Sequence, residues 1–283
     1  PWLALGGYQE LFPEYLSKEK TKAAVQSGVN RLLQMVTDEG GLAYWPGGSE
    51  SNPWGTAYGG FTLLRARDAG AAVPEETIDS LLEYLSKSLR NLEDEKDPYH
   101  LTNAAMALYT LAKGGKAEPA YANLLFGKKE RLPEVAKLYL ALSMLIAKAP
   151  EQQVKDLLGW KPKVVAEVVK KAVPAAASSK SKKAAASTTK AKSKAIARPA
   201  PTPVAAPQWT PWWGNQLNKA LRLIAYTHLG LKSDADALVT SILQARNGRG
   251  EWGNTITNSW TLTALSAYER SIKVTSTPLA VRT

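Results

Sequence analysis

The feature that most restricts the fold is a glycine-rich tryptophan turn running at once into an apolar helix, and it occurs twice. The first copy is Gly40-Gly41-Leu42-Ala43-Tyr44-Trp45-Pro46-Gly47-Gly48, then Asn52-Pro53-Trp54 and Thr56-Ala57-Tyr58-Gly59-Gly60-Phe61-Thr62-Leu63-Leu64. The second is Gly248-Arg249-Gly250-Glu251-Trp252, then Asn258-Ser259-Trp260-Thr261-Leu262-Thr263-Ala264-Leu265. The paired tryptophans lie nine residues apart in the first copy and eight in the second. Glycines let a chain turn tightly at a helix end. Large rings then seal the junction against neighbouring helices. A turn-plus-helix unit near both ends predicts a closed ring of repeated helical hairpins.

The periodicity between the two copies agrees. Val25, Val29, Leu32 and Val36 predict a helix over 18–37 that stops at Gly40-Gly41. Trp54, Tyr58, Phe61 and Leu64 form a stripe that ends at Gly70. Pro74-Glu75-Glu76 opens the next helix, with proline early and acids near the positive helix end. Ile78, Leu82, Leu85 and Leu89 are its inner face. The polar link at 93–98 interrupts the pattern, and Leu101, Ala105, Leu108 and Ala112 resume it. Further helices are expected over 119–125, 132–148, within 151–171, around 217–224, 234–245 and 256–271. Residues 1–12 read as the tail of a helix ending at Gly6-Gly7. The result is an all-α chain of ten to twelve helices without a convincing sheet, an (α/α) toroid of helical hairpins, with an open solenoid as the alternative.

One segment departs from this plan. Residues 172–207 are Ala, Ser, Lys, Thr and Pro, a composition that forms no packed core. They read as a disordered or flexible insertion inside one folded domain spanning 1–272. Residues 273–283 read as an extended tail leading to a following domain. Nine Lys or Arg and no acid fall within 170–207, so most of the net charge of +11 belongs there. The remainder is near neutral, which argues against specific nucleic-acid binding. An anionic surface contacted through 170–198 is the expected partner if the segment has one.

Composition also excludes chemistry. There is no cysteine, which removes disulfides, zinc thiolates and a cysteine nucleophile from this chain. Two histidines make a multi-histidine metal site improbable, and no cofactor is expected. No apolar run reaches the ~20 residues of a membrane helix, and no phosphate loop or Gly-x-Ser-x-Gly turn is present. Trp45, Trp54, Trp212, Trp213, Trp252 and Trp260 read as structural aromatic corners, with stacking on a glycan as the functional alternative. Asp234-Ala235-Asp236 is the nearest match to an acid motif, yet a helix start favours acids there anyway. A pair of carboxylates brought together in space by the fold stays open. His228 extends the Leu217, Leu221, Ile224 stripe and reads as a bonded core or cap residue.

The first block, with Ser49-Glu50-Ser51-Asn52-Pro53-Trp54 and Thr56-Ala57-Tyr58, resembles the thioester domain of bacterial alpha-2-macroglobulins. So does Gly253-Asn254-Thr255 with Asn258-Ser259-Trp260 and Leu262-Thr263-Ala264-Leu265, and Ala105-Met106-Ala107-Leu108-Tyr109-Thr110-Leu111-Ala112 between them fits the same order. The likeness covers 1–170 and 208–272. It implies an (α/α)6 toroid within a periplasmic or envelope protein that traps proteases in bacterial defence. A cut bait exposes an internal Cys–Gln thioester, whose thiolate leaving group makes it an acylating agent. The implied partners are the other domains of the parent macroglobulin and, through it, target proteases. The implied Cys-x-Glu-Gln motif is not in this chain. It is expected just upstream of Pro1, or the chain belongs to a branch that lacks it. No enzymatic or catalytic residue is therefore assigned. His100 lies in the region where some relatives carry a histidine that steers acylation towards hydroxyls, although the motif around it does not match.

Overall fold

The computed structural model describes residues 2–8, 14, 16–161 and 214–275. By internal packing the chain divides into two units, one of Pro1–Trp160 with Trp209–Thr283 and one of Lys161–Gln208. The expected insertion at 172–207, Trp212 and Trp213 lie outside the described residues.

Eleven α-helices make up the first unit among the described residues: α1 (Trp2–Leu5), α2 (Lys18–Leu33), α3 (Pro53–Asp68), α4 (Glu75–Ser88), α5 (Pro98–Lys113), α6 (Pro119–Gly127), α7 (Glu134–Ile146), α8 (Glu151–Leu157), α9 (Gly214–His228), α10 (Lys232–Gln244) and α11 (Thr255–Thr275). No strand forms among these residues beyond two isolated bridges, Val36 with Leu42 and Ala43 with Ser51.

The sequence marks most helix starts. Ser17 caps α2 and accepts from the Lys20 amide. Asn52 and Asp97 cap α3 and α5, each followed by a proline at the first helical position. A capping oxygen satisfies an amide that has no partner inside the helix, and proline has no amide to lose. Glu75 and Glu76 occupy the first turn of α4.

Helices alternate between two layers. The odd-numbered helices pack side by side in the order α1, α11, α9, α7, α5, α3, and the even-numbered ones lie against them. The α5 face shows why it is inside. Every residue from Leu101 to Ala112 is buried, so this helix is apolar all round rather than striped. In α7 every residue from Val135 to Met144 except Lys137 is buried. Each fully buried leucine in these helices contributes about 2 kcal/mol by removal from water.

The ring closes on itself. Helices α3 and α11 meet through Phe61 stacked on Trp260 at 5.0 Å between centroids, and through Arg65 Nη1 donating to Thr263 Oγ1 at 3.0 Å. The Tyr8 hydroxyl donates to the Leu262 carbonyl at 2.9 Å. These contacts join residues about two hundred or more positions apart, as the recurrence of the tryptophan units predicts. The chain also stays together where it leaves and re-enters this unit. Trp160 Nε1 donates to Asp234 Oδ2 at 2.9 Å, and Arg222 bonds both Glu134 and the Leu158 carbonyl.

Three boundaries differ from expectation. The helix predicted over 18–37 ends at Leu33, because the Met35 carbonyl accepts from the Ala43 amide and the Thr37 amide donates to the Gly41 carbonyl in the 40s loop. The helix sought within 151–171 ends at Leu157, where Gly159 takes a positive φ of 59°. The tail expected to be extended from 273 is still helical through Thr275.

Candidate functional site

The first tryptophan corner is a compact loop fastened by side chains. Thr56, one turn into α3, sits beneath it: its Oγ1 accepts from the Leu42 amide at 2.8 Å and donates to the Asn52 carbonyl at 2.8 Å. The Asn52 amide donates to Leu42 O at 2.7 Å, and the hydroxyls of Thr37 and Ser51 share a hydrogen bond of 2.6 Å. Gly40 holds φ at 87°, and a Cβ there would strike both the side chain and the backbone of Ser80. Gly59 on α3 lies under Leu42, where an added Cβ would overlap the leucine methyl. Close approach thus favours glycine at both positions, and turning requires it at Gly40 as well.

The two tryptophans of this corner part company. Trp54 is half-buried, stacked on Tyr58 at 6.1 Å and packed near Tyr139 at 6.2 Å. Trp45 is 70% exposed and Tyr44 69% exposed, the rings meeting edge to face at 5.0 Å. Trp45 therefore seals no junction in this unit, contrary to its expected role. The loop hydrogen bonds direct residues 42, 43 and 51–52 inward and leave 44–45 at the tip.

At the second corner both rings are engaged. Trp252 Nε1 donates to the Ile242 carbonyl at 2.8 Å, and its amide donates to Asn258 Oδ1 at 2.8 Å. Trp260 is 2% exposed and meets Phe61, Tyr109 and Tyr139 in one aromatic cluster. Burial pushes the Tyr109 hydroxyl up to about 12 and raises Tyr139 well above the ordinary tyrosine value.

The candidate polar residues are placed as follows. His100 stands exposed on the first turn of α5, its Nδ1 3.0 Å from Glu95 Oε2. The Glu95 carboxyl is held below its usual range by the Asp97 amide first, then by Lys96 and His100. Both residues line a cavity of about 250 Å3 with Asn103, whose amide is buried without a hydrogen-bond partner. His228 is exposed at the end of α9, its Nδ1 2.8 Å from the Ile224 carbonyl, as a bonded cap residue. Asp234 and Asp236 both hold structural tethers, to Trp160 and to the Tyr268 hydroxyl at 2.5 Å. Among the described residues no three His, Cys, Asp or Glu side chains group as a metal site, and no helix is long and apolar enough to cross a membrane.

No family model matches the chain. The alpha-2-macroglobulin of Escherichia coli K12 is 32% identical over 117 residues, 41% of this chain and 7% of that protein. The chain is similar to the bacterial alpha-2-macroglobulins. Solved structures share its fold. The native E. coli protein from domain MG7 to its C-terminus matches with a TM-score of 0.58 at 21% identity, over 90% of this chain and 35% of that one. The trypsin-activated E. coli protein gives 0.60 at 19% identity, over 91% and 15%. The Salmonella protein reacted with methylamine gives 0.60 at 21% identity, over 90% and 14%. The chain thus spans a small part of the macroglobulins it matches, within their C-terminal region.

The macroglobulin likeness rests on residues whose roles are now visible. Gly40, Leu42, Asn52, Thr56 and Gly59 are the fastenings of the first corner, while Asn258 and Trp260 anchor the second. Sequence reasoning missed Thr56 and Arg65. The signal for Arg65 was available: it follows Tyr58 by seven positions and Phe61 by four, so it shares their inward face. An apolar hollow beside α1 was also missed. It comprises cavities of about 380 and 140 Å3 that share Trp2, Leu3 and Val25.

Proposed function

We propose that this chain forms the thioester-domain-like ring of a bacterial alpha-2-macroglobulin, a protease-trapping inhibitor of the cell envelope. It serves there as a non-enzymatic scaffold. The match to the E. coli macroglobulin carries this reading, supported by a ring fold shared with the C-terminal region of such proteins. The related proteins fit the chemistry. The Salmonella one is known after reaction with methylamine, and the E. coli one after activation by trypsin and by porcine elastase. An amine attacks an exposed thioester at its acyl carbon and releases the thiolate.

This sequence has no cysteine, so the acylating sulfur is not among these residues. The ring's contribution is then mechanical and positional. Its exposed Tyr44–Trp45 tip and the hollow beside α1 offer apolar surface to other domains of the parent protein. His100, with Nδ1 occupied by Glu95, keeps Nε2 for a proton and is the residue placed to steer an acyl transfer. The lysine-bearing segment over 170–198 is assigned to an anionic surface of the envelope.

Two measurements test this. Trypsin incubated with the longer protein should still cleave small peptide substrates and lose its activity on large ones. Undiminished digestion of a large substrate such as casein would end the protease-trap reading. This chain alone, incubated with labelled methylamine, should keep its mass; an adduct would show that it carries acylating chemistry of its own.

A further inference from the structure

A small cavity of about 50 Å3 lies where α1, α3 and α11 meet, lined by Tyr58, Arg65, Ser259, Trp260 and Thr263 among others. Arg65 is the unusual member. Its stem lies on Phe61, with the guanidinium carbon 5.8 Å from the ring centroid. Only one of its N–H groups has a protein acceptor, the bond to Thr263 Oγ1. No carboxylate pairs with it among the described residues. The acid nearest along its own helix, Asp68, is taken by Lys113 at 3.1 Å and Arg67 at 3.7 Å. Burial is the largest influence on its charge and disfavours it; Tyr109 and Tyr58 favour it in part, Arg270 adds repulsion, and Asp68 gives the smallest favourable share.

Arg65 is half-buried, and a guanidinium stays protonated in proteins, so the part of it withdrawn from water needs a compensating partner. The neighbouring hydroxyls offer little. Those of Thr62, Ser259 and Thr263 donate their protons to carbonyls one turn back, leaving only neutral oxygens towards the cation. Trp260, which also lines the cavity, carries a second unanswered donor. Trp260 is 2% exposed, and its indole Nε1 has no hydrogen-bond partner. Two donors, one of them a cation, meet in a space of roughly three water-sized occupants with no acid on its wall.

We propose that this cavity is a binding site for one compact monoanion, a halide or a small carboxylate such as formate, held by Arg65 and the Trp260 indole. The planar fork of Arg65 suits a carboxylate, and the small volume excludes larger anions. Occupancy completes the closure between α3 and α11. The anion is then a structural ligand of the ring seam, independent of the protease-trap reading.

The test is thermal unfolding at equal ionic strength in chloride, formate or gluconate, the last too large to enter. At ten times its dissociation constant, chloride or formate raises the midpoint by about 3 °C over gluconate. Arg65→Met keeps a stem over Phe61 but removes the charge, and it abolishes that difference. Crystals of the unaltered chain grown in bromide carry an anomalous peak beside the guanidinium, a readout that does not depend on the variant folding. Equal midpoints in the three salts, an undiminished chloride response in Arg65→Met, or no bromide peak at Arg65 would each overturn the proposal.

Discussion

The two tryptophan corners begin from nearly the same letters and end in different places. In the first, the leading tryptophan, Trp45, stands 70% exposed at a loop tip, and the following Trp54 is half-buried. In the second, Trp252 is pinned by its indole to Ile242 O, and Trp260 lies 2% exposed at the aromatic centre. The difference comes from what holds each turn. Thr37, Ser51, Asn52 and Thr56 brace the first loop, so its shape needs no ring to fill it. Asn247 Oδ1 accepts from the Arg249 and Glu251 amides in the second, and Trp252 itself fastens that turn to α10. A side-chain network can replace an aromatic plug, and the ring is then available for another surface.

Four outcomes would sharpen or break this comparison. Trp260→Ala should cost about 3–5 kcal/mol, because it empties the contact among α3, α5, α7 and α11. Chemical denaturation measures it, and a loss under ~1 kcal/mol would mean that the second corner is no more central than the first. Alkaline pH should come next. Tyr109 lies in the same cluster and titrates at about 12 in the fold against 10.0 when free. Its raised value leaves its contribution intact below pH 10, and that contribution falls as the unfolded chain ionises above it. By pH 12 the loss is roughly 2 kcal/mol, visible as a falling midpoint in denaturant titrations between pH 9 and 12. Trp252→Phe removes only the bond to Ile242 O and should cost about 1 kcal/mol. Trp45→Ala should leave stability within ~0.5 kcal/mol; a larger loss would show that the first loop depends on its ring after all.

Much of the ring was legible before any coordinates. The start of α4 followed from Pro74-Glu75-Glu76, whose proline and acids act locally on its first turn. Closure followed from the repeated unit, since Trp260 and Phe61 could meet only if the ends came together. What stayed hidden depended on distant partners. The fate of Trp45 was decided by Thr56 reaching back to Leu42, and periodicity carries no record of that bond. The end of α2 at Leu33 was set by residues 35–43 folding against each other, although the apolar spacing continued to Val36. Asp234 and Asp236 looked like an acid motif because their neighbours in sequence are visible and their partners, Trp160 and Tyr268, are not.

The central claim is that helices far apart in sequence form one closed body through the aromatic contact of Phe61, Tyr109, Tyr139 and Trp260. Native-state hydrogen exchange tests it most directly. The account predicts that the amides of α3 and α11 around these residues open together, with the same free energy and the same response to denaturant. Exchange of α11 through a separate, less stable opening, with α3 still protected, would contradict it.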